Sequence, residues 1–192
     1  MAKLVYGVGH NDGKDPSQID GKATKEYQLW FSMLSRCYAD LSFLYAPSYL
    51  KCTVSSSFKT YSFFHDWCQQ QVGFKQPDFQ LDKDILVKGN HVYSESTCVF
   101  VPRPLNKLLA NCSNKQEDLP TGVCFRNNRY TARLTIFGKQ KPLGGFKTLG
   151  EAFQAYKTAK EAHIKDMAEL YKADIDPRAY AALMAYQVEI TD

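Results

Sequence analysis

From Arg129 to Phe137 the chain alternates residue by residue, with Tyr130, Ala132, Leu134 and Ile136 on one parity and Arg129, Thr131, Arg133 and Thr135 on the other. A period of two sends successive side chains to opposite faces. The stretch therefore predicts a half-buried strand whose outer face is cationic and hydroxylated. Asn127-Asn128 before it and Gly138-Lys139 after it mark turns. A further short strand is expected through Leu143 to Phe146. Beyond it the period lengthens: Thr148 and Glu151 have capping-box spacing, and Phe153, Tyr156, Ala159, Ile164, Met167, Leu170 and Tyr171 trace one face of a helix. With a first strand ahead of the Asn127-Asn128 turn, three strands and one helix make a two-layer unit.

Upstream, Tyr27, Trp30, Phe31, Leu34, Cys37 and Tyr38 recur at helical spacing over 24–38, with Thr24 placed as the cap. A second helix is expected over about 60–71, carrying Tyr61, Phe64, Trp67 and Cys68, after a loop with Pro47 and Ser55-Ser56-Ser57. Aromatic stripes at this spacing read as core in preference to base-stacking platforms. In 79–112, Phe79 to Asp82 reads as a strand and Lys88-Gly89-Asn90 punctuates a polar loop. Thr97 to Val101 reads as a second strand, and Pro102 and Pro104 open a helix with Leu105, Asn106, Leu108 and Leu109. The tail predicts a helix around Arg178 to Val188. The expected class is α+β: a helical N-terminal part leading into a ββα unit, then a three-stranded antiparallel sheet packed on one helix. The expected division is 1–116 (core motif 79–112), 117–172, and a tail 173–192.

Composition changes this picture little. At 44% hydrophobic and 23% charged residues, the chain is neither a disordered tail nor a coiled coil. Its apolar runs are a few residues long, too short to span a membrane, and Met1 to Gly7 is too weakly apolar for a secretory signal. The six cysteines form no CxxC pair, so reduced thiols in the cytoplasm are expected, with Cys37, Cys68 and Cys98 as small hydrophobes of the core.

Charge is informative only when divided. The net charge is +4, but residues 121–172 hold ten cations against four carboxylates, leaving the remainder slightly acidic. Six of those cations, Arg126 through Lys147, fall on the sheet segment, which holds no acid. Such a surface attracts phosphates, and its arginines can reach guanine edges. Arg126, Arg129, Thr131, Arg133, Thr135, Lys139 and Lys141 are the candidate contacts to double-stranded DNA.

These residues resemble a known family. Gly122-Val123, Arg126, Tyr130-Thr131-Ala132-Arg133-Leu134, Gly138-Lys139, Leu143-Gly144, Phe146, Thr148, Glu151-Ala152, Ala155-Tyr156 and Ala159 match the hallmarks of the APETALA/ethylene-response-factor-type DNA-binding domain. That domain also occurs fused to phage HNH homing endonucleases. The resemblance implies that the sheet enters the major groove while the helix braces its back. Residues 79–112, with LDKDIL, YSES and CVFVPRPLN, resemble the HNH motif of phage proteins, a ββα unit holding one divalent cation. Trp30 to Tyr38 fits the same group.

The HNH resemblance implies a Mg²⁺ (or other divalent cation) site with Asp82 as the carboxylate ligand and Asn106 as the amide ligand. The bracing asparagine of the loop would fall at Thr97. Lys83 stands where the family has its general-base histidine, and a lysine near its ordinary pKa of about 10.4 is a poor proton acceptor. Asp84 and His91 are the substitutes within reach in sequence. Two function classes stay open: a Mg²⁺-dependent DNA endonuclease or nickase of a bacteriophage, acting in the host cytoplasm, and an HNH-fold DNA- or protein-binding factor without cleavage, serving phage regulation or counter-defence. Docking on a protein partner through Trp30, Tyr61 and Trp67 is a third reading.

Overall fold

Thr24 accepts the amide of Tyr27 through its side chain and so caps α1, Lys25–Tyr38. This is the cap the spacing predicts. The structure, a computed structural model, describes residues 4–39, 49–110 and 119–192. Pro47, Cys112 and the expected boundary at 116/117 lie outside them. Two compact units result, Met1–Val101 with Asp174–Ala179, and Pro102–Ala173 with Tyr180–Asp192. The division thus falls ahead of the third helix, and the tail contributes to both units.

In the first unit β1 (Gln18–Ile19) and β2 (Lys22–Ala23) form a small antiparallel pair before α1. The segment read from sequence as a loop holds β3 (Thr53–Val54) and a 3₁₀ turn at Ser57–Lys59 before α2, Tyr61–Gln70. Strand β4 (Phe79–Asp82) pairs with β6 (Val99–Pro102), and β5 (Val92–Tyr93) pairs in parallel with β3. The second strand of the motif therefore starts two residues later than its composition suggests, and β5 is additional.

Trp30, Phe58, Tyr61, Phe64 and Phe100 are fully buried at the centre of this unit. Each buried ring contributes about 2–3 kcal/mol. The one polar atom of Trp30, its Nε1, donates to the Phe58 carbonyl at 2.7 Å. With Trp30, Tyr61 and Trp67 all inside, these aromatics do not form the docking face considered from sequence. Gly9 lies against them: a Cβ there would sit 2.3 Å from Leu34 and 3.0 Å from the Trp30 ring. Only glycine fits at that approach.

The second unit opens with α3, Arg103–Leu109, with proline in its first turn. Strands β7 (Val123–Arg126), β8 (Arg129–Ile136) and β9 (Lys139–Phe146) form an antiparallel sheet in the order β7-β8-β9. Helix α4, Leu149–Leu170, carries the capping box of Thr148 and Glu151 and packs on the sheet through Ala152 and Tyr156 against Val123, Ala132 and Leu134. Strand β9 is longer than expected because Lys139 to Pro142 also pair with β8. The last helix, α5, runs over Pro177–Met184. No helix among the described residues is long and apolar enough to cross a membrane.

Candidate nucleic-acid interface and the Asp82 loop

Directly paired residues of an antiparallel sheet point to the same face, so the register sorts the cations. Val123, Ala132 and Leu134 turn toward α4. Cys124 and Arg126 of β7 pair with Thr131 and Arg129 of β8, on the opposite, outer face. Arg133 and Thr135 share that face by alternation. On β9 their partners are Pro142 and Gln140, and Thr131 faces Gly145. The outer face therefore combines three arginines and two threonines with a low edge at Gly145. Among the described residues of this face there is no carboxylate.

The expectation that every sheet cation shares this face does not hold. Lys139 pairs with Ile136 and Lys141 with Leu134, which puts both lysines on the side of α4. The cause is the two-residue turn of Phe137 and Gly138, both at positive φ, which sets Lys139 directly opposite Ile136. Arg126 and Arg129 meet across the other turn, where Asn127 and Asn128 both adopt positive φ. Like charges directly opposite in a sheet repel. Arg133 donates to the side-chain oxygen of Gln140 at 3.3 Å, and the Thr131 hydroxyl donates to the Cys124 carbonyl at 3.3 Å.

In the first unit, Asp82 ends β4. Its Oδ1 accepts the amides of Asp84 and Ile85 at 2.7 and 2.8 Å, forming a tight turn. Burial pushes its carboxyl above the ordinary value, against the pull of those two amides. Lys83 is buried, with its side chain 8% exposed, and its ammonium donates to Asp84 and, at 3.0 Å, to the carbonyl of Asn90. Burial alone would lower the lysine pKa. The hydrogen bond and charge of Asp84 outweigh it, so Lys83 is held above its ordinary range. A general base there requires the opposite shift. His91 is exposed, and its Nδ1 lies 3.9 Å from the Cys52 sulfur.

A hard cation suits an aspartate carboxylate in kind. Beside Asp82, however, stands a protonated lysine whose carboxylate partner, Asp84, is already engaged. Asn106 belongs to the second unit.

Asn90, read from sequence only as turn punctuation, braces the loop. Its amide nitrogen donates to the carbonyls of Lys83 and Val92 at 2.8 and 2.7 Å, and its oxygen accepts the Val92 amide at 3.1 Å. Thr97, where the bracing residue was expected, adds one bond to the same Val92 carbonyl, at 2.8 Å. A second group escaped the sequence reading because its members are far apart in the chain. His65 Nδ1 lies 3.4 Å from Asp15 and 3.2 Å from Asp66, and the three ligand atoms fall within 4.8 Å of one another.

The cysteines behave largely as their neighbours suggest. Cys68 and Cys98 are buried, as is Cys52, whereas Cys37 and Cys124 are only half-buried. Burial pushes the thiols of Cys37 and Cys98 up to about 12. Comparison with known proteins finds no matching family model, no matching curated sequence and no matching solved structure.

Proposed function

We propose that the chain binds double-stranded DNA through the outer face of β7-β8-β9, as a factor of the HNH endonuclease-like class that does not cleave. The observation that carries the binding is the register: Arg126, Arg129 and Arg133 share a face with Thr131 and Thr135, and α4 covers the other side. The unrelieved opposition of Arg126 and Arg129 is what a polyanion would neutralise. Gly145 and Pro142 keep the neighbouring strand low, so a groove can approach the arginines. The resemblance to the APETALA-type domain supports the same surface.

The nuclease is the alternative reading, with Mg²⁺ held by Asp82 and Asn106. The upward shift of Lys83 speaks against it, because no group at the expected base position is ready to accept a proton near neutral pH.

The test uses the full chain and a short duplex. Four to six phosphate contacts give a log–log salt slope of about −4 to −5, and affinity that stays flat between roughly 50 and 200 mM salt would sink the reading. Plasmid nicking with Mg²⁺ or Mn²⁺ decides the chemistry. Cleavage abolished by Asp82→Ala and by Asn106→Ala would select the nuclease instead.

A further inference from the structure

Beside the sheet, within the second unit, lies a cleft of about 1000 Å³ bounded by α3, the β8–β9 end and α4. Arg103 and Lys107 of α3, Arg133 of β8, and Lys160 and His163 of α4 line it, and among the described residues no carboxylate does. Arg103 and Lys107 are four residues apart, so they lie on one side of the helix and repel each other. Both are exposed. Lys160 donates to the Leu108 carbonyl and so ties the end of α3 to α4, giving the cleft a fixed wall.

Two further observations separate this cleft from a merely solvated basic patch. Arg133 and Thr135 belong both to the outer sheet face and to the cleft lining, so the two surfaces are continuous. At the lip stands Phe137, 70% exposed and at φ 47°, with its ring edge-on to His163 at 5.9 Å. That turn position favours Asn or Gly, and a bulky residue there is strained. An exposed aromatic kept at a strained position suggests contact with a ligand.

The geometry points to the cleft as the seat of one sugar–phosphate backbone of the duplex, with Arg103 and Lys107 on its phosphates and the Phe137 ring against its sugars. This rests on the reading of the sheet as a duplex-binding face, and it adds α3 and the β8–β9 turn to that interface. The continuity through Arg133 and Thr135 favours the same polymer over a separate acidic peptide. A duplex lying on the sheet reaches the cleft without leaving the protein surface.

The experiment measures duplex affinity of the full chain against salt concentration, with thermal melting as the fold check. Arg103→Ala with Lys107→Ala should weaken binding roughly ten-fold near 100 mM salt and reduce the magnitude of the slope by about 2, since each phosphate contact contributes about 0.9. Lys22→Ala with Lys51→Ala removes the same charge elsewhere and should leave the slope nearly unchanged. Phe137→Asn suits the turn, so it should fold at least as stably and bind several-fold more weakly.

Unchanged binding by Arg103→Ala/Lys107→Ala, or equal losses in the two double variants, would overturn the cleft while leaving the sheet reading intact. Unchanged affinity in Phe137→Asn would overturn the part given to the ring. Salt-insensitive binding by the wild type would remove the sheet reading and the cleft with it.

Discussion

Lys83 and Asn90 hold each other twice: the Asn90 side chain donates to the main-chain carbonyl of Lys83 at 2.8 Å, and the Lys83 ammonium donates to the main-chain carbonyl of Asn90 at 3.0 Å. The reciprocal clasp closes the loop between β4 and β5 and leaves neither side chain free for chemistry. Asn90→Ala removes three side-chain bonds and takes this partner from the Lys83 carbonyl and the Val92 amide, while Thr97 still donates to the Val92 carbonyl. It should destabilise the protein by about 2–3 kcal/mol, at about 1 kcal/mol per bond. Urea unfolding checks it, and a change below about 0.5 kcal/mol would show that water replaces the clasp.

The tail is fastened to α4 by a charged triangle. Glu161 accepts the Val188 amide at 2.8 Å and the Lys157 ammonium at 3.1 Å, and Lys157 donates to the Val188 carbonyl at 2.6 Å. Burial would raise the Glu161 carboxyl, but the Val188 amide and Lys157 outweigh it and hold it below 4.5. A carboxyl with a depressed folded pKa stabilises above its unfolded pKa and loses that contribution as pH falls through the folded one. Stability should therefore drop on acidification below about pH 4.5, the ordinary value. Glu161→Gln should be less stable at pH 7, by about 1–2 kcal/mol, and show a shallower acid limb. Denaturant midpoints across pH 3 to 7 test this; parallel wild-type and variant curves would contradict it.

Gly122 adopts φ +80°, and a Cβ built there would lie 2.2 Å from the Tyr156 ring. That ring is part of the buried sheet–helix contact, and the Gly122 carbonyl accepts the Arg133 amide at 2.9 Å. Gly122→Ala adds backbone strain to a clash that the core cannot absorb. It should cost about 2–4 kcal/mol, read as a drop in the thermal midpoint. A melting curve matching the wild type would mean that Tyr156 repacks at no cost.

The thiols supply an independent check on the first unit. Burial pushes Cys37, Cys68 and Cys98 well above their ordinary range, so the thiolate that reacts is scarce. A thiol reagent should modify these three slowly in the native protein and at once in denaturant. Fast native labelling of Cys68 or Cys98, followed by peptide mapping, would show that this core opens locally.

Long periodic segments were legible in the chain. The caps at Thr24 and Thr148 and the alternation of β8 lie where the pattern puts them, because each rests on bonds among near neighbours. Strands β3 and β5 were not legible: two residues make no period, and Thr53–Val54 becomes a strand only by pairing with Val92–Tyr93. The bracing role of Asn90 was missed for the same reason, since its partner Lys83 is fixed by tertiary closure. Lys83 as an obstacle to base chemistry was half legible. Its identity stood in the sequence, but the direction of its shift depends on the Asp84 pairing inside a buried site.

The sorting of the sheet cations could have been counted from sequence, and it yields the sharpest test of the binding surface. A two-residue hairpin returns the next strand with its first residue opposite the last of the previous one, so Lys139 takes the parity of Ile136 and Lys141 that of Leu134. Arg126 and Arg129 meet on the other face. If DNA lies on the outer face, Arg126→Ala with Arg129→Ala should weaken duplex binding by about ten-fold near 100 mM salt and reduce the magnitude of the slope by about 2. Lys139→Ala with Lys141→Ala removes equal charge from the same sheet. Its effect should stay within about two-fold, since both ammonium groups lie on the far side and act only through screened field. Equal losses would place DNA contacts on both faces, and a larger loss for the lysine pair would reverse the docking face.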